Sequence, residues 1–225
     1  LFCVQTGCLK AMLADGQIKA TRDASSVADT LGDFDVARAA TSAGLVQFEG
    51  MHKLRPENAD ALFLLLKGWT GYGFAFALDD YEVALVAGKE GEIDGAKERA
   101  KHAFDRAIVY GGELLAMYDR GFEAARKTDK PLHEWLKKHF TEADDAPTLY
   151  WLGTAWLLRI GLLADQPEYV ADLFVGAALL ERSVELDASY NNFGALTGLA
   201  SYHARASIAE LDQAKAMFDD ALSKT

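Results

Sequence analysis

Five histidines, His52, His102, His133, His139 and His203, are the side chains of this chain best suited to hold a metal or shuttle a proton. A helical zinc site wants two of them four residues apart, so that both nitrogens leave one face a turn apart. No two histidines have that spacing, and the run His133-Glu134-Trp135 leads to no second histidine on the same face. Each reads as a surface or partly buried structural histidine. Gly68, Gly71 and Gly73 fall in the wrong order for a dinucleotide fingerprint, and no strand precedes them. Phosphate-loop and nucleophile-elbow motifs are absent. The carboxylate pairs Asp79-Asp80, Asp144-Asp145 and Asp219-Asp220 fall at helix ends or on solvated faces. The sequence therefore offers no catalytic residue, no metal ligand set and no cofactor site, and the chain reads as a binding protein, not an enzyme.

Binding chemistry has two candidate segments, both dense in aromatics. In Gly68-Trp69-Thr70-Gly71-Tyr72-Gly73-Phe74-Ala75-Phe76, helical spacing puts Trp69, Tyr72 and Phe76 in one stripe. Each glycine costs a helix about 1 kcal/mol relative to alanine, so three of them imply either close helix packing or room for a ligand against an aromatic wall. The second segment, Leu149-Tyr150-Trp151-Leu152-Gly153-Thr154-Ala155-Trp156, carries Trp151 and Trp156 on different faces, one for the core and one for a groove or an interface. Trp69, Tyr72, Phe76, Tyr150, Trp151 and Trp156 are the expected ligand-binding residues.

The two cysteines, Cys3 and Cys8, are too few for a disulfide framework. The opening Leu1-Phe2-Cys3-Val4-Gln5-Thr6-Gly7-Cys8 reads as the tail of a bacterial lipoprotein signal with Cys8 as the lipid acceptor, or as a stretch with two idle thiols. Gln5 stands where such a signal usually has an aliphatic residue. No other stretch reaches the roughly 20 unbroken apolar residues of a membrane span.

These residues need a scaffold, and composition limits its kind. Half of the 225 residues are apolar, which excludes a disordered chain, and the net charge of −11 argues against nucleic acid or an anionic membrane as partner. The pattern is helical nearly throughout, with no sustained period-2 alternation. All four prolines sit where a helix begins: Pro56, Pro131, Pro147 and Pro167. Asp33, Asp94 and Ser207 are further helix starts. Helices are expected at about 8–21, 33–54, 58–79, 93–126 (bent at Gly111-Gly112), 131–140, 147–164, 167–187, 191–206 and 208–223. The run from Gly88 to Gly95 is expected as a polar, mobile loop. Nothing resembles a linker, so residues 9–225 read as one helical domain behind a signal-like segment, 1–8.

Within that domain, a small residue, an aromatic and another small residue recur at offsets 0, +4 and +7. Ala100-Phe104-Ala107 and Ala214-Phe218-Ala221 fit, Gly44-Phe48-Met51 fits loosely, and Gly176-Leu180-Ser183 is a degraded copy. First-helix signatures occur at Leu62-Leu65-Trp69 and Leu149-Leu152-Gly153-Trp156. The spacing lets helices approach at the small residues while a larger one fills the gap, as in tetratricopeptide (TPR) repeats. The fold class is accordingly all-α, a divergent TPR-like array of helix pairs forming an α-α superhelix.

Four segments, in order, carry a family resemblance. Leu65 to Phe76 resembles the "GFTQYAYAF" helix of the TRAP-transporter-associated TPR lipoproteins, the TatT family, where TRAP denotes tripartite ATP-independent periplasmic transport. Leu149 to Trp156 is similar to the family's "LYWTGAAW", Asp165 to Leu173 to its "DDPELVADL", and Leu180 to Asp187 to its "MERALELD". The resemblance spans about residues 8 to 221 and implies a periplasm-facing bacterial lipoprotein, anchored to the membrane only through lipid on Cys8. It further implies a homo-oligomer, a trimer in the relatives, that docks a periplasmic substrate-binding protein of a TRAP system and offers a cleft to small hydrophobic or organic-acid ligands. The chain departs from the pattern at Gly71, where the family has Gln, and at Ala188-Ser189-Tyr190-Asn191-Asn192-Phe193, where it has "PDYDDG". Apart from the resemblance, a helix-pair scaffold for protein contacts in a cell-envelope assembly fits the same residues.

Overall fold

The computed structural model describes residues 4–205 and 210–225, with side chains from residue 9 onward. The fold is all-α, with no strand among the described residues. The described chain gathers into two compact units, Leu1–Met117 and Tyr118–Thr225. The division falls in the last turn of a helix, which is why no linker composition marks it.

In the first unit, α1 (Val4–Asp23), α2 (Phe34–Leu54) and α3 (Ala59–Tyr72) run into a π-helical turn (Gly73–Ala77), then α4 (Leu78–Val86) and α5 (Glu90–Tyr118). Two of the starts are capped by side chains. The Asp33 carboxylate accepts from the Val36 backbone N–H at 2.9 Å, and the Asn58 side chain accepts from that of Ala61 at 2.9 Å. The central element is α3. Ala61 to Leu66 are all buried, so this helix is apolar on every side and must be covered on every side. Ile18 of α1 and Met51 of α2 meet Ala61 and Leu64, with Phe48 against them. Ala59–Val86, taken as one rod, is long and apolar enough to cross a membrane, but 56% of its most apolar window is buried within the chain, as in a core helix.

The second unit holds α6 (Phe122–Ala125), α7 (Asp129–His139), α8 (Ala146–Leu162), α9 (Pro167–Val170), α10 (Leu173–Asp187), α11 (Tyr190–His203) and α12 (Leu211–Lys224). Its core is the crossing of α8 and α10. A Cβ on Gly153 would lie 2.9 Å from the Leu180 side chain and 3.0 Å from the Gly176 carbonyl oxygen; one on Gly176 would lie 2.7 Å from Leu157. The two glycines thus let the helix backbones meet, and the leucines fill the space beside them.

Four expectations change. Residues 88–95 are not one loop: α4 ends at Val86, the chain turns at Gly88, with φ +62°, and α5 already begins at Glu90, so Asp94 is inside a helix. Packing of Ala96, Ala100 and Phe104 overrides the poor propensity of Gly91 and Gly95. The helix runs unbroken through Gly111-Gly112 and stops at Tyr118, well short of 126. Residues 167–187 divide into α9 and α10 at Ala171-Asp172. The start of α11 contains a left-handed turn, with φ of 52°, 53° and 60° at Asn191, Asn192 and Phe193. The expected start at Ser207 lies outside the described residues, as does Cys3; the backbone of Cys8 lies in α1, and its side chain is outside the description.

Candidate functional site

The aromatic stripe of α3 is present as a chain of rings. Trp69 and Tyr72 meet edge to face at 6.0 Å, Tyr72 and Phe76 at 6.2 Å, and Phe76 continues to Phe34 at 5.2 Å. The π turn sits in the middle of this stripe. Such a turn takes one residue more than an α turn and so re-aims the side chains that follow it. Its first residue is Gly73, where a Cβ would lie 2.7 Å from the Phe104 ring, and Gly68 is pressed against Leu45 and Phe48. Two of the three glycines therefore serve close packing, while Gly71 meets no side chain.

Beside the stripe opens a cleft of about 580 Å³, and its walls come from three helices of the first unit. Helix α2 contributes Ser42, Leu45, Val46 and Glu49; α3 contributes Trp69 and Tyr72; α5 contributes Glu98, Arg99 and His102. His102 stands edge to face on Trp69 at 5.8 Å. Phe76 is not part of the lining; at 5% exposure it supports Tyr72 from inside.

A polar network at Glu49 fixes the geometry. The Trp69 indole N–H donates to Glu49 Oε1 at 2.9 Å, and the Tyr110 hydroxyl donates to Oε2 at 2.6 Å. The Arg106 guanidinium donates both to Glu49 Oε1 and to the Tyr110 hydroxyl. It also lies over the Trp69 ring at 5.5 Å and the Tyr110 ring at 5.0 Å. Burial by itself raises the Glu49 carboxyl, but hydrogen bonds from Tyr110, Arg106 and Trp69 outweigh it and hold the group below its ordinary 4.5. Burial, then the hydrogen bond to Glu49 and its charge, push the Tyr110 phenol up, so it remains a donor. The result is a fixed Trp69 wall beside an ionised, fully partnered carboxylate.

The remaining expected residues lie in the second unit. Tyr150 and Trp151 meet edge to face at 4.9 Å. The Trp151 indole donates to the Tyr190 hydroxyl at 3.0 Å, and the Asn191 amide donates to the Tyr150 hydroxyl at 2.7 Å. Both bonds pin the left-handed turn at Asn191 to Phe193 onto α8. Trp156 is a core residue, 3% exposed, packed edge to face on Phe122 at 6.4 Å. Its ring has the guanidinium groups of Arg126 and Arg159 at 5.3 and 5.2 Å, and its buried indole N–H has no hydrogen-bond partner among the described residues. Sequence reading thus separated Trp151 from Trp156 but found neither Glu49, Arg106 and Tyr110 nor the place of His102 in the cleft. The only signal for the network was the Arg106–Tyr110 spacing of four on α5; nothing in sequence tied it to Glu49 on α2.

No group of three or more His, Cys, Asp or Glu side chains able to hold a metal ion occurs among the described residues. What the cleft can do is bind: it has an apolar and aromatic wall, a buttressed indole, and charged groups on α2 and α5. A family model described as TRAP transporter T-component, TAtT, matches residues 31–225. No curated protein matches the chain.

Proposed function

The chain belongs to the TRAP transporter T-component family, and from that membership we propose that it works by binding alone, passing a small ligand to or from a partner of the transport system. As a member of that family it is an accessory component of TRAP transport associated with the cell envelope, in a family of transport accessories and not of known enzymes. The finer reading is that it faces the periplasm, is anchored through lipid on Cys8, forms a homo-oligomer, and docks the periplasmic substrate-binding protein. Repeat spacing supports a TPR-like array of helix pairs: Ala100, Phe104 and Ala107 are each fully buried along one face of α5.

The observation that carries the ligand half of this reading is the cleft walled by Trp69 and Tyr72, with Trp69 locked by Glu49. A site built for a ligand is mostly apolar, largely preformed and supplied with a few placed polar groups. We assign the ligand to Trp69 and Tyr72, with Phe76 behind them; for Tyr150 and Trp151, and separately for Trp156, the proposed role is packing in the second unit. Titration with a series of hydrophobic carboxylates, followed by calorimetry and tryptophan fluorescence, tests it. Binding that weakens in Tyr72→Ala, with helicity retained, supports the reading. A folded Tyr72→Ala variant that binds as well overturns the assignment; a protein that binds none of the series takes no hydrophobic acid in this cleft.

A further inference from the structure

The cleft wall contributed by α5 has a charge pattern that a purely apolar ligand does not use. Glu98 and Arg99 both line the cleft, and among the described residues neither makes an ion pair or a hydrogen bond. Elsewhere in this unit the arginines are spoken for: Arg22 with Asp60, Arg38 with Asp80, Arg55 with Asp15, Arg106 with Glu49. Neighbours in sequence on a helix point about 100° apart and do not face each other, so Glu98 and Arg99 present two separate charges of opposite sign.

The same cleft is lined by a corner of rings, Trp69 and Tyr72 from α3 and His102 from the next turn of α5. Trp69 carries Tyr72 at 6.0 Å and 88° on one flank and His102 at 5.8 Å and 89° on another. Perpendicular aromatic rings make a concave surface of π faces, and the group that such a surface holds best is a compact organic cation. The Arg106 guanidinium over Trp69 shows this ring accepting a cation on one side already. Glu49 is already paired with Arg106, so the charges of the lining left for a ligand are Glu98 and Arg99, one for an ammonium and one for a carboxylate; a simple hydrophobic acid would use Arg99 and leave Glu98 without a partner.

We propose that the cleft takes a small zwitterion, with an alkylated ammonium in the corner of Trp69, Tyr72 and His102 opposite Glu98 and a carboxylate on Arg99. This rests on the reading that the cleft is a ligand site and narrows the class of ligand it takes.

Three isosteric probes separate the possibilities by calorimetry: 4-(trimethylammonio)butyrate, its anionic isostere 5,5-dimethylhexanoate and its cationic isostere trimethyl(4-methylpentyl)ammonium. The zwitterion should bind at least about tenfold more tightly than either isostere. Glu98→Gln should remove its advantage over the anion, and Arg99→Gln its advantage over the cation. Both positions are exposed on α5, so circular dichroism of the variants should match the parent. Equal or tighter binding of either isostere overturns the zwitterion; for 5,5-dimethylhexanoate it leaves the reading of the cleft as a ligand site standing. Binding of none of the three overturns the ligand reading and the zwitterion together.

Discussion

Replacing Glu49 with Gln tests whether the cleft is held by charge or only by shape. The substitution keeps volume and one acceptor for the Trp69 indole, but removes the charge that accepts from Trp69, Tyr110 and Arg106. A hydrogen bond to a charged group contributes about 1.5–3 kcal/mol and a neutral one about 0.5–1.5, so each of three bonds loses about 1 kcal/mol. The Glu49 and Arg106 side chains are 30% and 37% exposed, so water recovers roughly half of this. The expected cost is about 1.5 kcal/mol at pH 7, or about 3–6 °C in melting temperature for a chain of this size. The pH dependence supplies the stricter test. A carboxyl held below its ordinary value contributes stability that is present above about 4.5 and lost as pH falls through the folded value. The gap between parent and Glu49→Gln should therefore be full at pH 7 and close well below pH 4.5, as Glu49 itself becomes neutral. Urea titrations at both pH values, read by tryptophan fluorescence, measure it. A gap below about 0.5 kcal/mol at pH 7, or one of equal size in acid, refutes the electrostatic account.

Three further outcomes follow from other parts of the molecule. Gly176→Ala should destabilise by about 1–3 kcal/mol, because its Cβ would lie 2.7 Å from Leu157 at the α8–α10 crossing; chemical denaturation checks this. At Phe193, with φ 60° and ψ 30°, glycine should be more stable than alanine by about 1 kcal/mol, the reverse of the helical ranking, and a melt of both variants decides it. Burial lowers His133, but the Glu181 carboxylate and the Asp129 carbonyl outweigh it and raise the imidazole above 6.5. That contribution is present below 6.5 and lost as pH rises through the folded value, so His133→Gln should cost stability at pH 5.5 and lose that cost by pH 9.

The helical class was legible because it rests on local signals: Asp33 caps α2, Pro147 and Pro167 open α8 and α9, and alternation at strand period is missing. The stripe of Trp69, Tyr72 and Phe76 was legible for the same reason, since a period of 3.6 residues survives one π turn. The loop at 88–95 was misread because glycine signals a break only where packing does not decide, and α5 buries Ala96 and Ala100 completely enough to decide. The left-handed turn had half a signal: asparagine tolerates that conformation, whereas Phe193 argues against it, and the bonds from Asn191 to Tyr150 and from Trp151 to Tyr190 hold it. The resemblance did mark this position, since its pattern has glycine where the chain has Phe193. The Glu49 network left no trace beyond the Arg106–Tyr110 spacing, because Arg106 and Tyr110 are 57 and 61 residues from Glu49 in sequence and meet it only after α2 and α5 both pack on α3.

Calorimetric titration of the full chain with the purified substrate-binding protein of its own TRAP system tests whether this member of the T-component family acts through a partner of TRAP transport. A saturable complex is the expected result. Heats of dilution alone, with both proteins folded, would contradict it.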